Sequence, residues 1–262
     1  MNPYAEIRKV PLDYQGIQSS AYAVQLDKGI DKGFKEVGVV GPSYMLIPNQ
    51  QVKDAADYIA ETSKISFKED KTFFNGKVYM HSLISDHVVG EVDKGDDVAL
   101  GIQFWNSYDG SRSFGFSMML YRLLCTNGMM SKHAFGTYKF KHLPDNEKWE
   151  EDIEKVVNNI NNVQRGAYTG IESIIERFKA LHDTKVNTDM LGIIRHGHLQ
   201  DIPVSLWGNI VDRFTNAEHY QNHNGWNLLN AATDILWHKE KPTVASYDQN
   251  AQIVDGLCSA IS

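Results

Sequence analysis

The alternation of apolar and polar positions predicts β-strands through much of the first half of the chain. Residues 97–105 alternate with period two, and the segments SFGFSMMLYRLL and KHAFGTYKFKH resemble strands as well. Turn dipeptides separate the three: Asp109-Gly110 precedes the second segment and Asn127-Gly128 precedes the third. Three strands joined by two such turns predict an antiparallel meander.

Shorter features precede the meander. The stretch VGVVGPSYMLIPNQQ, which begins at Val37, holds two apolar runs separated by Gly-Pro and predicts a strand, a turn and a second strand. Asn49 is a good N-cap for the helical periodicity that follows it. Asn75-Gly76 marks a further hairpin.

Helical periodicity dominates after Pro144. Apolar residues recur every three or four positions in residues 149–163 and 171–181, and VSLWGNIVDRF and GWNLLNAATDILWH predict two more helices. Strands early and helices late are the α+β pattern. We therefore predict an α+β fold in which an antiparallel, twisted meander sheet is packed on one side by the C-terminal helices.

The chain shows no internal repeat and no Pro/Ser-rich linker. We expect a single α+β domain over residues 35–240, with an N-terminal arm or edge segment at 1–34 and a C-terminal extension at 241–262. No run approaches the roughly 20 apolar residues of a membrane-spanning helix, and the N-terminus lacks the apolar region of a secretory signal. The predicted location is the cytoplasm, which is the host cytoplasm if a phage encodes the protein.

Charge is distributed unevenly along the chain. The 262 residues carry a net charge of −7, yet residues 110–144 contain five Lys or Arg and no Asp or Glu. Because that segment carries +5, the rest of the chain carries −12. A negative total disfavours non-specific coating of duplex nucleic acid, but it leaves room for one local basic surface.

Cations and aromatic rings together are typical of surfaces that hold single-stranded nucleic acid, where cations follow the phosphates and rings stack on bases. The predicted nucleic-acid-binding residues are Arg112, Phe114, Phe116, Arg122, Lys132, Phe135, Lys139 and Lys141. In the third strand, alternation places Thr137, Lys139 and Lys141 on one face with Phe135, and Tyr138, Phe140 and His142 on the other. The alternative is purely structural: strands favour aromatic residues, and lysines protect sheet edges from aggregation.

Other candidates for chemistry are weaker. His196, His198, His219 and His223, with Asp201 or Glu218, form the densest histidine clusters, but the H-E-x-x-H spacing of zinc enzymes is absent. Cys125 and Cys258 are the only cysteines, and both are predicted to be buried. No G-x-S-x-G, P-loop or G-x-G-x-x-G motif occurs. We predict no catalytic residue, no metal and no cofactor.

Two stretches resemble a known family. NSYDGSRSFGFSMMLYRLLCTNGM and, about a hundred residues later, GWNLLNAATDILWH are similar to the paired signatures of the phage/plasmid-like family catalogued as domain of unknown function 932. Its patterns are N-S-[HY]-D-G-S, R-[LV]-[LV]-C-[ST]-N-G and W-x-x-x-N-A-x-T-[DE]-x-x-x-H, and VGVVGPSYMLIPNQQ is similar to its early segment. The motif positions that match are Asn106, Asp109, Gly110, Ser111, Arg122, Cys125, Asn127, Gly128, Asn230, Asp234 and His238.

The resemblance implies a role on DNA, because family members occur in phages and mobile elements near genes for replication and recombination. Tyr108 stands where the family often has His, which weakens any catalytic interpretation of that turn. We therefore expect a phage-type accessory protein that binds single-stranded DNA, with annealing as one form of that role. We expect it to assemble as a homo-oligomer and not to enter membranes.

Two alternatives stay open. The acidic remainder of the chain is compatible with a host-interaction or regulatory protein that binds no nucleic acid. One predicted helix carries a polar stripe of three residues spaced four apart, Asn230, Asp234 and His238. The stripe is interpreted either as a structural hydrogen-bond network or as part of a metal-dependent enzyme site built with the C-terminal histidines.

Overall fold

The computed structural model describes residues 1–29, 32–124, 127–129, 137–143, 149–165, 169–220, 222–238 and 244–261. Its strands are β1 (Ile7–Tyr14), β2 (Ile17–Asp27), β3 (Phe34–Val40), β4 (Phe67–Phe74), β5 (Val78–Glu91), β6 (Asp97–Ser107), β7 (Phe114–Arg122), β8 (Asn127–Met129) and β9 (Thr137–Phe140). Its helices are α1 (Asn49–Thr62), α2 (Trp149–Gln164), α3 (Thr169–Asp183), α4 (Thr188–Gly197), α5 (Val204–Asn216), α6 (Gly225–Trp237) and α7 (Val244–Ile261).

The strands form two sheets. β1, β2 and β3 pair antiparallel in that order. The second sheet has the order β4-β5-β6-β7-β8, and β9 pairs antiparallel with β7. Neighbours in sequence are thus neighbours in each sheet, except that β9 pairs with β7 and not with β8, and helices α2 to α7 follow the strands. The predicted α+β class with an antiparallel meander is confirmed.

Two of the predicted turns are confirmed. Asn75 accepts hydrogen bonds from the backbone amides of Lys77 and Val78 in the β4–β5 hairpin. Between β6 and β7, the amide of Ser111 donates to the Asp109 carboxylate at 3.0 Å, and Gly110 has a φ of +74°. Because a positive φ is strained for residues with a Cβ, glycine suits this position.

Three local predictions were wrong. Asn127-Gly128 does not form a turn but begins β8. The second apolar run of VGVVGPSYMLIPNQQ forms no strand, since β3 ends at Val40 and residues 41–48 are irregular. Pro48, not Asn49, is the N-cap of α1. In each case the local composition correctly indicated a boundary between elements, but it did not give the backbone structure at that boundary.

The chain divides into two compact units. The first comprises Met1–Ile84, Ile102–Ser117 and Thr137–Asn161, and the second comprises Ser85–Gly101, Met118–Gly136 and Asn162–Ser262. Compact packing does not by itself define a unit that folds alone, so the predicted domain bounds stay a prediction.

In the first unit, the three-stranded sheet packs on the turn that follows β6. Val24, Leu26, Val37 and Val40 form a buried cluster with Tyr108, whose ring is only 1% exposed. Burial of these side chains is the main force that holds the N-terminal strands in place.

In the second unit, α6 is the central helix and packs against α3, α5 and α7 and against β8. All five apolar residues predicted to line α3 are buried: Ile171, Ile174, Ile175, Phe178 and Leu181. The sequence pattern did not single out α4 or α7, although Val254 and Leu257 of α7 are completely buried. No helix in the described ranges is long and apolar enough to cross a membrane.

Burial on both sides distinguishes the central strands. Every residue of β7 is buried, and so is every residue of β6 except Asp97. Alternation in these strands therefore separates two interior faces, and neither face is in contact with solvent.

Candidate nucleic-acid interface

The edge of the second sheet at β9 presents an exposed polar face. Thr137, Lys139 and Lys141 are exposed, whereas Phe140 and His142, which alternate with them, are buried. The prediction of one cationic and one apolar face is confirmed for the described residues of this segment. β9 has only four residues and Lys141 directly follows it, so the two lysines form a small basic surface.

An aromatic pair lies at the end of β9. The rings of Tyr44 and His142 stack with centroids 4.5 Å apart and planes inclined by 13°. The amide of Met45 donates to the His142 carbonyl at 2.9 Å, and Nδ1 of His142 lies 2.9 Å from the Met45 carbonyl. Residues 44–45 and the end of β9 are thus held together by two polar contacts and one ring stack.

Tyr44 also reaches the turn after β6. Its hydroxyl donates to the carbonyl of Ser107 at 2.7 Å. Burial, with a smaller contribution from the negative charge of Asp109, raises the pKa of Tyr44 to about 12. The hydroxyl therefore stays protonated at neutral pH and keeps its role as a donor.

Two further cations lie beside this aromatic pair. Lys9 of β1 donates from Nζ to the Tyr44 carbonyl at 2.9 Å. Arg112 is anchored through its backbone, since its amide donates to Ser107 Oγ at 3.0 Å and its carbonyl accepts from that hydroxyl at 2.7 Å. We call Lys9, Arg112, Lys139 and Lys141 the basic cluster.

The sequence did not reveal Lys9 or Tyr44 as members of this site. Lys9 lies in a polar segment predicted to be an arm, and its proximity to Tyr44 depends on the packing of β1 in the first unit. Tyr44 lies in VGVVGPSYMLIPNQQ, so the family resemblance was the only signal that pointed to its neighbourhood.

Asn106, the first residue of the N-S-[HY]-D-G-S motif, ties the end of β6 to the start of α1. Its fully buried side chain donates from Nδ2 to the Ile47 carbonyl at 2.8 Å and to Asn49 Oδ1 at 2.9 Å. The amide of Asn49 in turn donates to the Tyr108 hydroxyl at 2.9 Å. The motif thus binds to the early segment that resembles the same family.

A second buried network joins the other two signatures. Arg122 donates from Nε and Nη2 to the two carboxylate oxygens of Asp96, each at 2.6 Å. Trp226, the first residue of the W-x-x-x-N-A-x-T signature, donates from Nε1 to Asp96 Oδ2 at 2.7 Å, and its ring lies 5.5 Å from the Arg122 guanidinium carbon. Asp96 was not predicted, because nothing in its local sequence distinguishes it from a turn residue.

A family model described as "Domain of unknown function (DUF932)" matches residues 36–257, which is most of the chain. The protein belongs to the DUF932 family. The resemblance read from the motifs is thereby confirmed. No curated protein and no solved structure matches the chain, so these comparisons supply no activity.

The assignment of Phe114 and Phe116 as base-stacking rings was wrong. They are 2% and 0% exposed and pack against rings of β9, with Phe114 5.4 Å from Phe140 and Phe116 5.2 Å from Tyr138 between centroids. The error came from assuming that one face of β7 is wet, whereas both of its faces are buried. Rings that close the core of a DUF932 protein cannot stack on a nucleic-acid base.

The assignment of Arg122 as a phosphate ligand was also wrong. Arg122 is 6% exposed, and its charge is matched by the Asp96 carboxylate inside the protein. The remaining predicted ligands, Lys132 and Phe135, lie outside the described residues, as does the motif residue Cys125.

Gly128 of the R-[LV]-[LV]-C-[ST]-N-G signature serves close packing. A Cβ on this glycine would lie 2.6 Å from the ring of Trp237, and its carbonyl accepts from Asn250 Nδ2 at 2.9 Å. The preceding Asn127 pairs with Arg122 in the β7–β8 ladder, and its side chain is outside the described set.

The polar stripe on α6 is engaged in structural contacts. Asn230 is buried and donates from Nδ2 to the Trp226 carbonyl at 2.8 Å. Asp234 forms an ion pair with Arg213 of α5, and its other oxygen lies 3.9 Å from Nε2 of His238. Of these contacts, the Asp234–Arg213 ion pair joins α6 to α5, and the other two lie within α6 and its C-terminal cap.

Within the described ranges, no group of three or more His, Cys, Asp or Glu side chains is arranged to hold a metal ion. The side chain of His219, one of the four clustered histidines, is not among those described. Cys258 is buried as predicted, and that burial raises the pKa of its thiol to about 12, which disfavours the nucleophilic thiolate.

Proposed function

We propose that this DUF932 protein is a phage-type accessory protein that binds single-stranded DNA during replication or recombination through the basic cluster. The observation that carries the proposal is the exposure of Lys139 in β9 and of Lys141 directly after it, in a segment of 35 residues without a single acid. We include Lys9 in the proposed surface because its Nζ lies 2.9 Å from the Tyr44 carbonyl, and Arg112 because its backbone is bonded to Ser107, whose carbonyl accepts from Tyr44.

Binding at this cluster is mainly electrostatic. Cations that neutralise phosphates release counterions, so affinity falls steeply with salt and depends little on base sequence. Because Phe114 and Phe116 are buried, stacking by these rings adds nothing to the affinity. We therefore expect weaker binding than that of single-strand-binding proteins with exposed aromatic platforms.

Homo-oligomerisation is part of the proposal. One copy offers the four cations of the basic cluster, which suffice for only a few phosphates. Several copies aligned along one DNA strand contact many more phosphates, and because the copies are linked, the overall affinity for the DNA rises. An annealing-like role requires such an assembly. The setting we propose is the cytoplasm of the cell in which the phage or mobile element replicates.

The test is fluorescence anisotropy with labelled oligo-dT at several salt concentrations, with the size of the complex measured by light scattering. We compare the unaltered protein with Lys139→Ala plus Lys141→Ala. The control is Lys94→Ala plus Lys185→Ala, which removes the same charge from exposed lysines of the other unit.

We expect the first variant to bind more weakly and to reduce the slope of log affinity against log salt by about 0.7 for each phosphate that is no longer neutralised. The control should retain nearly the full slope. Equal slopes in the two variants would exclude the basic cluster. An absence of oligo-dT binding at low salt would exclude the function itself and favour an acidic protein-interaction role.

A further inference from the structure

A groove between α4 and α5 is lined by one stripe of residues from each helix. It encloses about 730 Å³, within the range of about 300 to 1,000 Å³ that ligand pockets occupy. The stripe on α5 consists of Val204, Trp207 and Val211, and the stripe on α4 includes Thr188, Leu191, Gly192 and Arg195. Because residues three, four and seven positions apart share a face of a helix, each helix turns a single face toward the groove.

The stripe on α5 is apolar, yet it is not needed to hold α5 in place. α5 packs against α6 and buries Ile210 and Phe214, which are its contribution to the core. Trp207 and Val211 are only half-buried, and Val204 is 78% exposed. A surface helix needs one apolar face to dock on its own protein, so a second apolar face beside a groove is typical of an interaction surface.

A glycine keeps the α4 side of the groove open. Gly192 lies in the interior of α4, and no atom of the described residues is within 4 Å of a Cβ built on it. Packing inside the chain therefore does not require a glycine here. Glycine in a helix interior costs about 1 kcal/mol relative to alanine, but it lets another molecule approach the helix backbone closely.

Charge and shape on this surface favour a second copy of the chain as the occupant. Among the described residues that line the groove none is acidic, whereas Arg195 and the exposed His196 are basic. The exposed Asp201 lies three residues before Val204, in the loop that leads into α5. The same surface thus carries an exposed apolar side chain next to an acid, and an apolar recess that contains basic residues.

A contact between identical copies needs this combination. In a two-fold contact the same surface occurs on both sides, so the exposed group of each copy meets the recess of the other. Opposite charges on the two parts attract the copies over a distance and favour this orientation, without any direct hydrogen bond.

We infer that the α4–α5 groove is a two-fold contact between two copies of this protein, in which Val204 of each copy packs beside the partner subunit's Trp207. The contact uses only part of two helices and is therefore at the small end of specific interfaces, so we expect a Kd on the order of 10 µM. The homo-oligomer of the proposed function would use this contact, but the inference does not rest on DNA binding.

The experiment is analytical ultracentrifugation of the full-length protein without DNA, at concentrations from about 1 to 300 µM, which bracket the expected Kd. Gly192→Gln fills the open space of the groove with a residue that favours helix, so we expect an intact fold and a dimer at least tenfold weaker. The control is Gly197→Gln. Gly197 is also in α4 and also has nothing within 4 Å of a Cβ, but it does not line the groove, so the Kd should stay unchanged.

A second pair of variants tests the apolar side of the contact. Val204→Ser should weaken the dimer about tenfold, because the buried aliphatic group is lost. Ile17→Ser is the control, since Ile17 is similarly exposed, at 74%, but lies in β2 and not at the groove. Circular dichroism checks that all four variants are folded, and if Gly192→Gln is not, Val204→Ser decides the question.

A monomer at every concentration would overturn the inference and leave the groove to a different protein or to a small ligand. A dimer that Gly192→Gln or Val204→Ser leaves unchanged, in a folded variant, would overturn it as well and place the contact elsewhere. Lys139→Ala plus Lys141→Ala should dimerise like the unaltered protein, so failure of the proposed DNA function and failure of this contact give different results.

Discussion

The buried network of Arg122, Asp96 and Trp226 gives the sharpest test of how the family signatures act. Asp96→Ala removes the carboxylate that pairs with the Arg122 guanidinium and that accepts from the Trp226 indole N–H. Arg122 and Asp96 are 6% and 7% exposed, so water cannot readily replace the missing oxygens. The structure therefore predicts a large loss of stability and no direct effect on DNA binding.

Breaking a buried ion pair by removing one partner typically costs about 3 to 5 kcal/mol. Since folded proteins are stable by about 5 to 15 kcal/mol, the expected loss is about a fifth of the total or more. Asp96→Leu combined with Arg122→Met removes both charges, and should be more stable than Asp96→Ala because no uncompensated charge is left in the interior.

The assay is urea unfolding followed by tryptophan fluorescence and circular dichroism. Glu176→Ala is the control, because it removes the exposed ion pair with Lys179, 2.9 Å long, and should cost less than about 1 kcal/mol. If Asp96→Ala costs no more than Glu176→Ala, or if Arg122→Met weakens oligo-dT binding without loss of stability, then the role of Arg122 is not structural.

Two further predictions concern glycine packing and pH. Gly128→Ala should lower the free energy of unfolding by on the order of 1 to 3 kcal/mol, because the new methyl group meets the Trp237 ring. Gly208→Ala in α5 should instead raise the melting temperature, since nothing lies within 4 Å of its new methyl group. A melting temperature that rises in Gly128→Ala and falls in Gly208→Ala would contradict this packing. Burial lowers the pKa of His81 below its ordinary value of 6.5, so the unfolded chain takes up the proton first and stability should fall as pH drops below about 6.5. In His81→Gln, the urea midpoint should fall less between pH 7.5 and pH 5.5 than it does in the unaltered protein. Part of the fall should persist, because burial also lowers the pKa of His142. An unchanged dependence of the urea midpoint on pH would count against this role of His81.

The periodicity of apolar residues and the residue types of the turns were sufficient to predict much of the fold. The helical repeat of α3 placed five residues correctly in the core, because a stripe of apolar side chains has to be buried wherever the helix docks. In the same way, Asp109-Gly110 specified its own turn, since the side chain of Asp109 and the free φ of Gly110 act within a few residues.

The candidate site was only partly predictable for a different reason. Alternation separates the two faces of a strand but does not show which face is exposed to solvent. Exposure depends on which other parts of the chain pack over each face. On β9 the lysine face proved to be exposed, whereas on β7 both faces are closed and the predicted rings of Phe114 and Phe116 became core.

By itself, then, the sequence determined the α+β class, most of the elements and the family, because these depend on short-range periodicity and on motifs that can be read in order. Only the tertiary structure decided that Arg122 is neutralised by Asp96, that Lys9 lies beside Tyr44 and that Asn106 is bonded to Asn49. Burial and ion pairing depend on distances between residues far apart in the chain, and one-dimensional patterns do not contain those distances.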